Sequence, residues 1–225
     1  MFIAGNWKMN GTVAQARDLA QALVNGLPDG APATAIFPPA IHLAAVHDII
    51  KDSPIFMGGQ DCSSAENGAH TGDLSVAMLA DIGARGVIVG HSERRTDHGE
   101  SNEAILGKVK AAQSAGLGAV LCVGETLDER QSGRAETVVQ SQLAACLPTT
   151  FDSGSVVIAY EPVWAIGTGM VATVQDISAM HSMIRQWLQA HRPEIADTFI
   201  LYGGSVKAAN AADVFGADEV GGALV

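Results

Sequence analysis

GVIVG, Gly86 to Gly90, is apolar at every position between its two glycines. A strand with one face in water alternates apolar and polar residues. A run without alternation predicts a strand buried on both faces, which is the mark of a parallel sheet covered by helices. Similar short runs recur along the chain: FIAGNW from Phe2, TAIFP from Thr34, IFMGG from Ile55, GAVLCVG from Gly118, SVVIAY from Ser155, FILYGG from Phe199 and GGALV from Gly221. With Gly86 to Gly90 they make eight candidate strands.

Between the strands the apolar spacing changes to that of helices. Val13, Ala16, Ala20, Leu23, Val24 and Leu27 mark one apolar face, and Ile177, Met180, Ile184, Trp187 and Leu188 mark another, starting at Thr173 and stopping at Pro193. Strand and helix alternate throughout, with no linker or low-complexity tract that could divide the chain. A doubly wound open sheet typically uses five or six strands, so eight near-equal units favour a closed (β/α)8 barrel formed as a single domain over residues 1–225.

At 225 residues and 48% apolar content the chain is long enough for a large buried core. Its net charge of −11 and pI of about 4.9, with no run of like charges, argue against nucleic acid or an anionic membrane surface as partner. An anionic substrate would need a local site built from a few cations and backbone N–H groups. The three cysteines, Cys62, Cys122 and Cys146, show no paired spacing, which argues against disulfides and structural zinc and favours a reducing cytoplasm. Asn6, Trp7 and Lys8 interrupt the first apolar run too early for a signal peptide, and no apolar stretch approaches membrane-spanning length.

In a parallel barrel the chemistry gathers at the C-terminal ends of the strands. Four of these ends carry reactive side chains: Asn6 and Lys8 after the first, His91 after the fourth, Glu161 after the sixth, and Tyr202 to Ser205 after the seventh. If the strand geometry persists, Asn6 and Lys8 point the same way. Pro162 biases Glu161 toward an extended backbone. Each residue alone has an ordinary explanation: Lys8 as a solvated charge, His91 as a hydrogen-bonded structural histidine, Ser92, Glu93 and Arg94 as a helix cap with surface pairs, and Glu161 as an ion-pair partner. Their convergence on one rim favours chemistry.

GTGMVA, Gly167 to Ala172, matches a dinucleotide-binding pattern with Glu194 further on, but EPVWAI separates it from the strand and Glu194 falls beyond a helix. A loop hinged between Pro162–Trp164 and small residues, with Gly167 able to bring an N–H to an anion, accounts for it better. His42 and His47 are five apart with no acidic cluster, so no metal is expected, and Cys122 reads as core. No nucleophile elbow and no Walker sequence occur, which leaves proton transfer without a cofactor.

AGNWKMN, GHSERR, LCVGET, AYEPVWAIGTG and LYGGSV, in this order, resemble the triosephosphate isomerases along the whole chain, Met1 to Val225. The resemblance implies a TIM barrel that interconverts glyceraldehyde 3-phosphate and dihydroxyacetone phosphate through an enediolate, in glycolysis and gluconeogenesis. Glu161 would be the base, neutral His91 would polarise the carbonyl and shuttle protons, and Asn6 and Lys8 would stabilise the enediolate. Glu93 would organise this rim. Trp164 and the AIGTG segment would form a lid, Gly167 and Ser205 would bind the phosphate, and Tyr202 and Ser205 would receive the closed loop. The family also implies a homodimer through residues 60–75, with Thr71 near the loop's tip.

Family members continue past the eighth strand with a second glycine pair for the phosphate and a final helix, and Gly221 and Gly222 precede the strand's ALV and are not that pair. The resemblance therefore leads us to expect that helix to be absent from residues 1–225. An alternative follows: a barrel that folds and binds phosphate weakly, with impaired catalysis.

Overall fold

The structure, a computed structural model, describes residues 1–150, 156–166 and 170–225. Eight parallel strands close into a barrel in sequence order: β1 (Phe2–Asn6), β2 (Ala33–Phe37), β3 (Phe56–Gly59), β4 (Gly86–Val89), β5 (Gly118–Val123), β6 (Val156–Tyr160), β7 (Ile200–Tyr202) and β8 (Gly222–Leu224). The last strand returns to the first, pairing Phe2 with Gly222 and Ala4 with Leu224. Every expected apolar run therefore holds a strand, and the closure bears out the barrel over a doubly wound open sheet.

Alternate residues divide the core in two. Ala4, Ala35, Phe37, Ile88, Val120, Cys122, Ala159, Leu201 and Leu224 fill the barrel. Their neighbours in sequence, such as Val87, Val89, Leu121, Ile158, Tyr160 and Tyr202, face the helices. Strands buried on both faces cannot alternate in hydropathy, which is why GVIVG reads as it does.

The helices relevant to the site are α1 (Val13–Gly26), α2 (Leu43–Ile50), α3 (Val76–Asp81), α4 (Ser92–Asp97), α5 (Asn102–Ser114), α6 (Leu127–Gln131), α7 (Ala135–Cys146) and α8 (Val174–His191). The start of α1 is fixed by a capping box in which Thr12 Oγ1 accepts from Gln15 N–H and Gln15 returns its side-chain oxygen to Thr12 N–H. Its apolar face is buried at Ala16 and Ala20, while Val13 is exposed at the first turn. Helix α8 begins as expected at Thr173, where Thr173 and Asp176 form the same reciprocal cap, and buries Ile177, Met180, Ile184, Trp187 and Leu188. None of the helices among the described residues is long and apolar enough to cross a membrane.

Candidate active site

Asn6 continues the inward parity of Phe2 and Ala4 and so ends β1 at the barrel mouth. Lys8 does not follow by strand alternation: β1 stops at Asn6 and Lys8 takes φ 50°, a left-handed backbone unusual for a side chain of this size. Two hydrogen bonds hold that turn. Lys8 N–H donates to Asn6 Oδ1 at 3.0 Å, and Gln60 Nε2 donates to Lys8 O at 2.8 Å while also reaching Phe37 O at 2.8 Å. The turn brings the ammonium back over the mouth, where Lys8 Nζ meets Glu93 Oε1 at 2.5 Å. Asn6, Lys8, Gln60, His91, Glu93 and Arg94 line one cavity of about 460 Å3 at this mouth.

His91 leaves β4 through Gly90, whose φ of +69° turns the chain sharply. The ordinary explanation of Ser92, Glu93 and Arg94 as a helix cap does not hold for Ser92. His91 is the N-cap of α4: its Nδ1 accepts from Glu93 N–H at 3.2 Å. An accepting Nδ1 places the ring proton on Nε2 and makes the imidazole neutral. Nε2 lies 3.0 Å from Glu161 Oε1 and donates to it. Ser92 is then free for a different partner, and both its N–H (2.9 Å, to Oε2) and its hydroxyl (3.2 Å, to Oε1) donate to the Glu161 carboxylate.

Glu161 is 2% exposed and His91 6%. Two glycines make room for Glu161: a Cβ on Gly124 would stand 1.8 Å from its main-chain O, and one on Gly203 would stand 2.9 Å from its side-chain Cγ. Burial pushes the Glu161 carboxyl above the ordinary glutamate value, with His91 and the Ser92 donors pulling it partly back. Cys122, read as core, is indeed wholly buried inside the barrel. Burial raises its thiol, as it raises Cys62 to about 12, so neither thiol is a ready nucleophile.

The chain beyond Glu161 is anchored at both flanks. On the near side Trp164 sits in a single 3-10 turn, Val163–Ala165, and its Nε1–H donates to Glu125 Oε1 at 2.8 Å. Glu125 is wholly buried and also accepts from Tyr160 OH at 3.0 Å and Arg130 NH1 at 3.3 Å, while the Arg130 guanidinium lies over the Trp164 ring at 4.7 Å. On the far side, Arg130 pairs with Asp176 in the α8 cap. Tyr202 is 1% exposed, and burial, with Asp176 adding to it, pushes its hydroxyl up to about 12. Ser205 is exposed after β7, with its carbonyl held by Asn210 Nδ2 at 3.1 Å. Gly167 lies outside the described residues.

Residues 60–75 contain neither helix nor strand, as expected, and Thr71 is exposed. The base of this segment is tied down by Ser63 N–H to Leu74 O at 2.7 Å and by the Asp61 carboxylate, which accepts from Lys108 Nζ at 2.7 Å and pairs with Arg94 at 3.0 Å. Sequence reasoning missed Gln60, Ser92, Glu125 and Arg130. The first three stand in or beside quoted motifs, yet each acts on a partner tens of residues away. Among the described residues no group of three or more His, Cys, Asp or Glu could hold a metal. His42 Nε2 is instead 3.0 Å from Gly11 O. A larger cavity, about 610 Å3, opens at the opposite mouth between rings such as Phe2, Phe37 and Phe56 and is lined by none of the four candidate catalytic residues.

A closed parallel barrel with a buried carboxylate bonded to a neutral imidazole at its C-terminal mouth defines an enzyme of the (β/α)8-barrel class. The family model for triosephosphate isomerase matches residues 1–225. Triosephosphate isomerase of Caulobacter vibrioides is 50% identical over 226 residues, covering 99% of this chain and 89% of that protein. That of Hahella chejuensis is 47% identical, covering 99% and 90%. The crystal structure of triosephosphate isomerase from Bartonella henselae superposes with a TM-score of 0.92 at 41% identity, covering 100% of this chain and 91% of that one. The chain belongs to the triosephosphate isomerase family.

Proposed function

We propose that this chain interconverts glyceraldehyde 3-phosphate and dihydroxyacetone phosphate, with Glu161 as the base. The observation that carries this reading is the 3.0 Å contact between the buried Glu161 carboxylate and Nε2 of His91, beside a cavity that Lys8 also lines. A carboxylate can take a proton from carbon only if the adjacent carbonyl oxygen is stabilised as it gains charge. The Nε2–H of neutral His91 is a donor suited to that oxygen, and Lys8 and Asn6 supply a cation and an amide on the same rim.

Glu161 takes the proton from one carbon, the electrons pass to the oxygen as an enediolate, and Glu161 returns the proton to the neighbouring carbon. His91 gives its Nε2 proton to one oxygen and regains one from the other, so charge and protons balance over the cycle. Glu161 does not line the cavity as it stands. Substrate has to draw the carboxylate away from Ser92 and His91, which exchanges protein donors for substrate. Glu93 holds both Lys8 Nζ and the His91 cap, which supports its role in organising the rim. Trp164 fixes the near end of a lid whose Gly167 binds phosphate together with Ser205, and Tyr202 backs the far end.

We further propose that residues 1–225 act as one domain and as a homodimer through residues 60–75. The anchored base of that segment, its exposed middle, and the exposure of Met9 (96%) and Met78 (59%) support the dimer. Three free, buried cysteines support a reducing, cytoplasmic setting. Glu161→Gln decides the central assignment. Interconversion of the two triose phosphates should slow by at least about 10²-fold in folded protein, the scale of a positioned general base. An unchanged rate would remove Glu161 from the chemistry.

A further inference from the structure

Arg95 lies in α4 and does not line the substrate cavity. All three nitrogens of its half-buried guanidinium are nonetheless committed. Nε donates to Gly90 O at 2.8 Å, NH1 to Asn102 Oδ1 at 2.7 Å, and NH2 to Cys122 O at 3.1 Å, with Cys146 Sγ 3.8 Å away. These four contacts are to uncharged groups. In a chain with 24 acidic residues, a guanidinium that spends its whole fork on neutral acceptors is shaped for geometry more than for ion pairing.

The positions of the two carbonyls explain what that geometry does. The β4–β5 ladder ends with Val89 opposite Leu121. The next pair across, Gly90 and Cys122, is joined by the guanidinium in place of the ladder. Gly90 is the left-handed residue that launches His91, and it is packed so tightly that a Cβ there would stand 3.1 Å from Arg95 NH2. The residue after Cys122 holds the base by its main chain: Glu161 N–H donates to Val123 O at 2.8 Å. Arg95 N–H also donates to His91 O at 3.1 Å.

We propose that Arg95 is a positioning residue: by clamping Gly90 O and Cys122 O across the mouth end of β4 and β5, it sets where His91 stands relative to Glu161. The planar fork is essential to this, because a lysine ammonium in the same place carries the charge but cannot reach three acceptors in one plane. A misplacement of reacting groups by about 1 Å is worth up to about 10²-fold in rate, so a clamp on the residue before His91 and on the residue before Val123, whose carbonyl holds Glu161 N–H, has ample leverage. Ser205, the described phosphate-binding candidate, follows β7 and is not among the partners of the guanidinium.

Arg95→Lys tests the clamp in two independent ways. In the kinetic arm, which rests on the isomerase reading, kcat for both triose phosphates is expected to fall at least about tenfold, while KM and the inhibition constant of inorganic phosphate stay within about twofold. Retention of kcat, or a fall in kcat matched by weaker phosphate inhibition, would overturn the proposal. In the second arm the ring 15N shifts of His91 are recorded without substrate. They are expected to move in the variant because the Glu93 N–H to Nδ1 contact is disturbed, and unchanged shifts would equally overturn it. Wild-type protein inactive on both trioses would sink the isomerase reading and leave the spectroscopic arm to decide the clamp. Should Arg95→Lys fail to fold, Asn102→Ala, which removes the acceptor shared by NH1 and the Cys146 thiol and leaves Nε and NH2 in place, should shift the same His91 signals and lower kcat about threefold at unchanged phosphate inhibition; no change in either would dispose of the clamp.

Discussion

Glu161 shows at the level of a single residue how a base and its restraint come from the same surroundings. Burial is the largest influence on its carboxyl and raises it, while His91 and the N–H and hydroxyl of Ser92 favour the charged form and lower it. Activity needs the charged form, so kcat/KM should decline on the acid side with unit slope around a pH above 4.5, the ordinary glutamate value. Ser92→Ala removes a donor to the anion, so its acid limb should lie at higher pH than that of the wild type. A limb at or below 4.5, or one that moves down in the variant, would contradict the assignment. Asn6, Lys8, His91 and Glu161 were legible because each sits at the end of an apolar run. Ser92 was not, because its partner is 69 residues away and only the closed barrel brings them together.

At the level of elements, the strands and the start of α8 follow from local rules, which is why a reading of apolar runs and of Thr173 locates them closely. Lys8 shows where such rules stop. Nothing local demands a left-handed lysine, and its turn is held by Gln60 from the end of β3. The anchor of the Val163–Ala165 turn is equally non-local. Glu125 follows β5, yet it receives Tyr160 OH, Trp164 Nε1 and Arg130. Glu125→Ala would leave those buried donors without this acceptor, at about 1–3 kcal/mol for each fully buried one. Urea unfolding should therefore show a loss of at least about 2 kcal/mol, with Glu125→Gln, whose amide oxygen still accepts, losing less. Equal stability of all three proteins would show that the turn is anchored elsewhere.

For the molecule as a whole, the acid response should be set in part by His181, far from the chemistry. It is wholly buried, with the Tyr160 ring edge-on at 5.8 Å, Glu219 O at 3.3 Å from Nδ1, and no hydrogen-bond partner for Nε2 among the described residues. Arg185 and Glu219 face it as an ion pair at 2.8 Å. Burial lowers its pKa from 6.5 to about 4. The unfolded chain therefore takes up a proton below pH 6.5 that the fold refuses until about 4, and stability drains away over that window. The shift corresponds to a loss on the order of 3 kcal/mol. In urea titrations between these pH values, His181→Gln should lose stability less steeply than the wild type, and parallel curves would rule His181 out.

The pairing of Phe2 with Gly222 has a consequence for the protein's birth. β1 acquires β2 early in synthesis, but its other edge stays unpaired until the chain has been extended by about 220 residues to β8. At roughly 5–20 residues per second, that wait lasts on the order of ten to forty seconds. Throughout it the ribosome carries a chain whose first strand offers open N–H and C=O groups to any neighbour, including another nascent copy. The strand that ends in Asn6 is thus the first part of the active site to be made and among the last to be sealed.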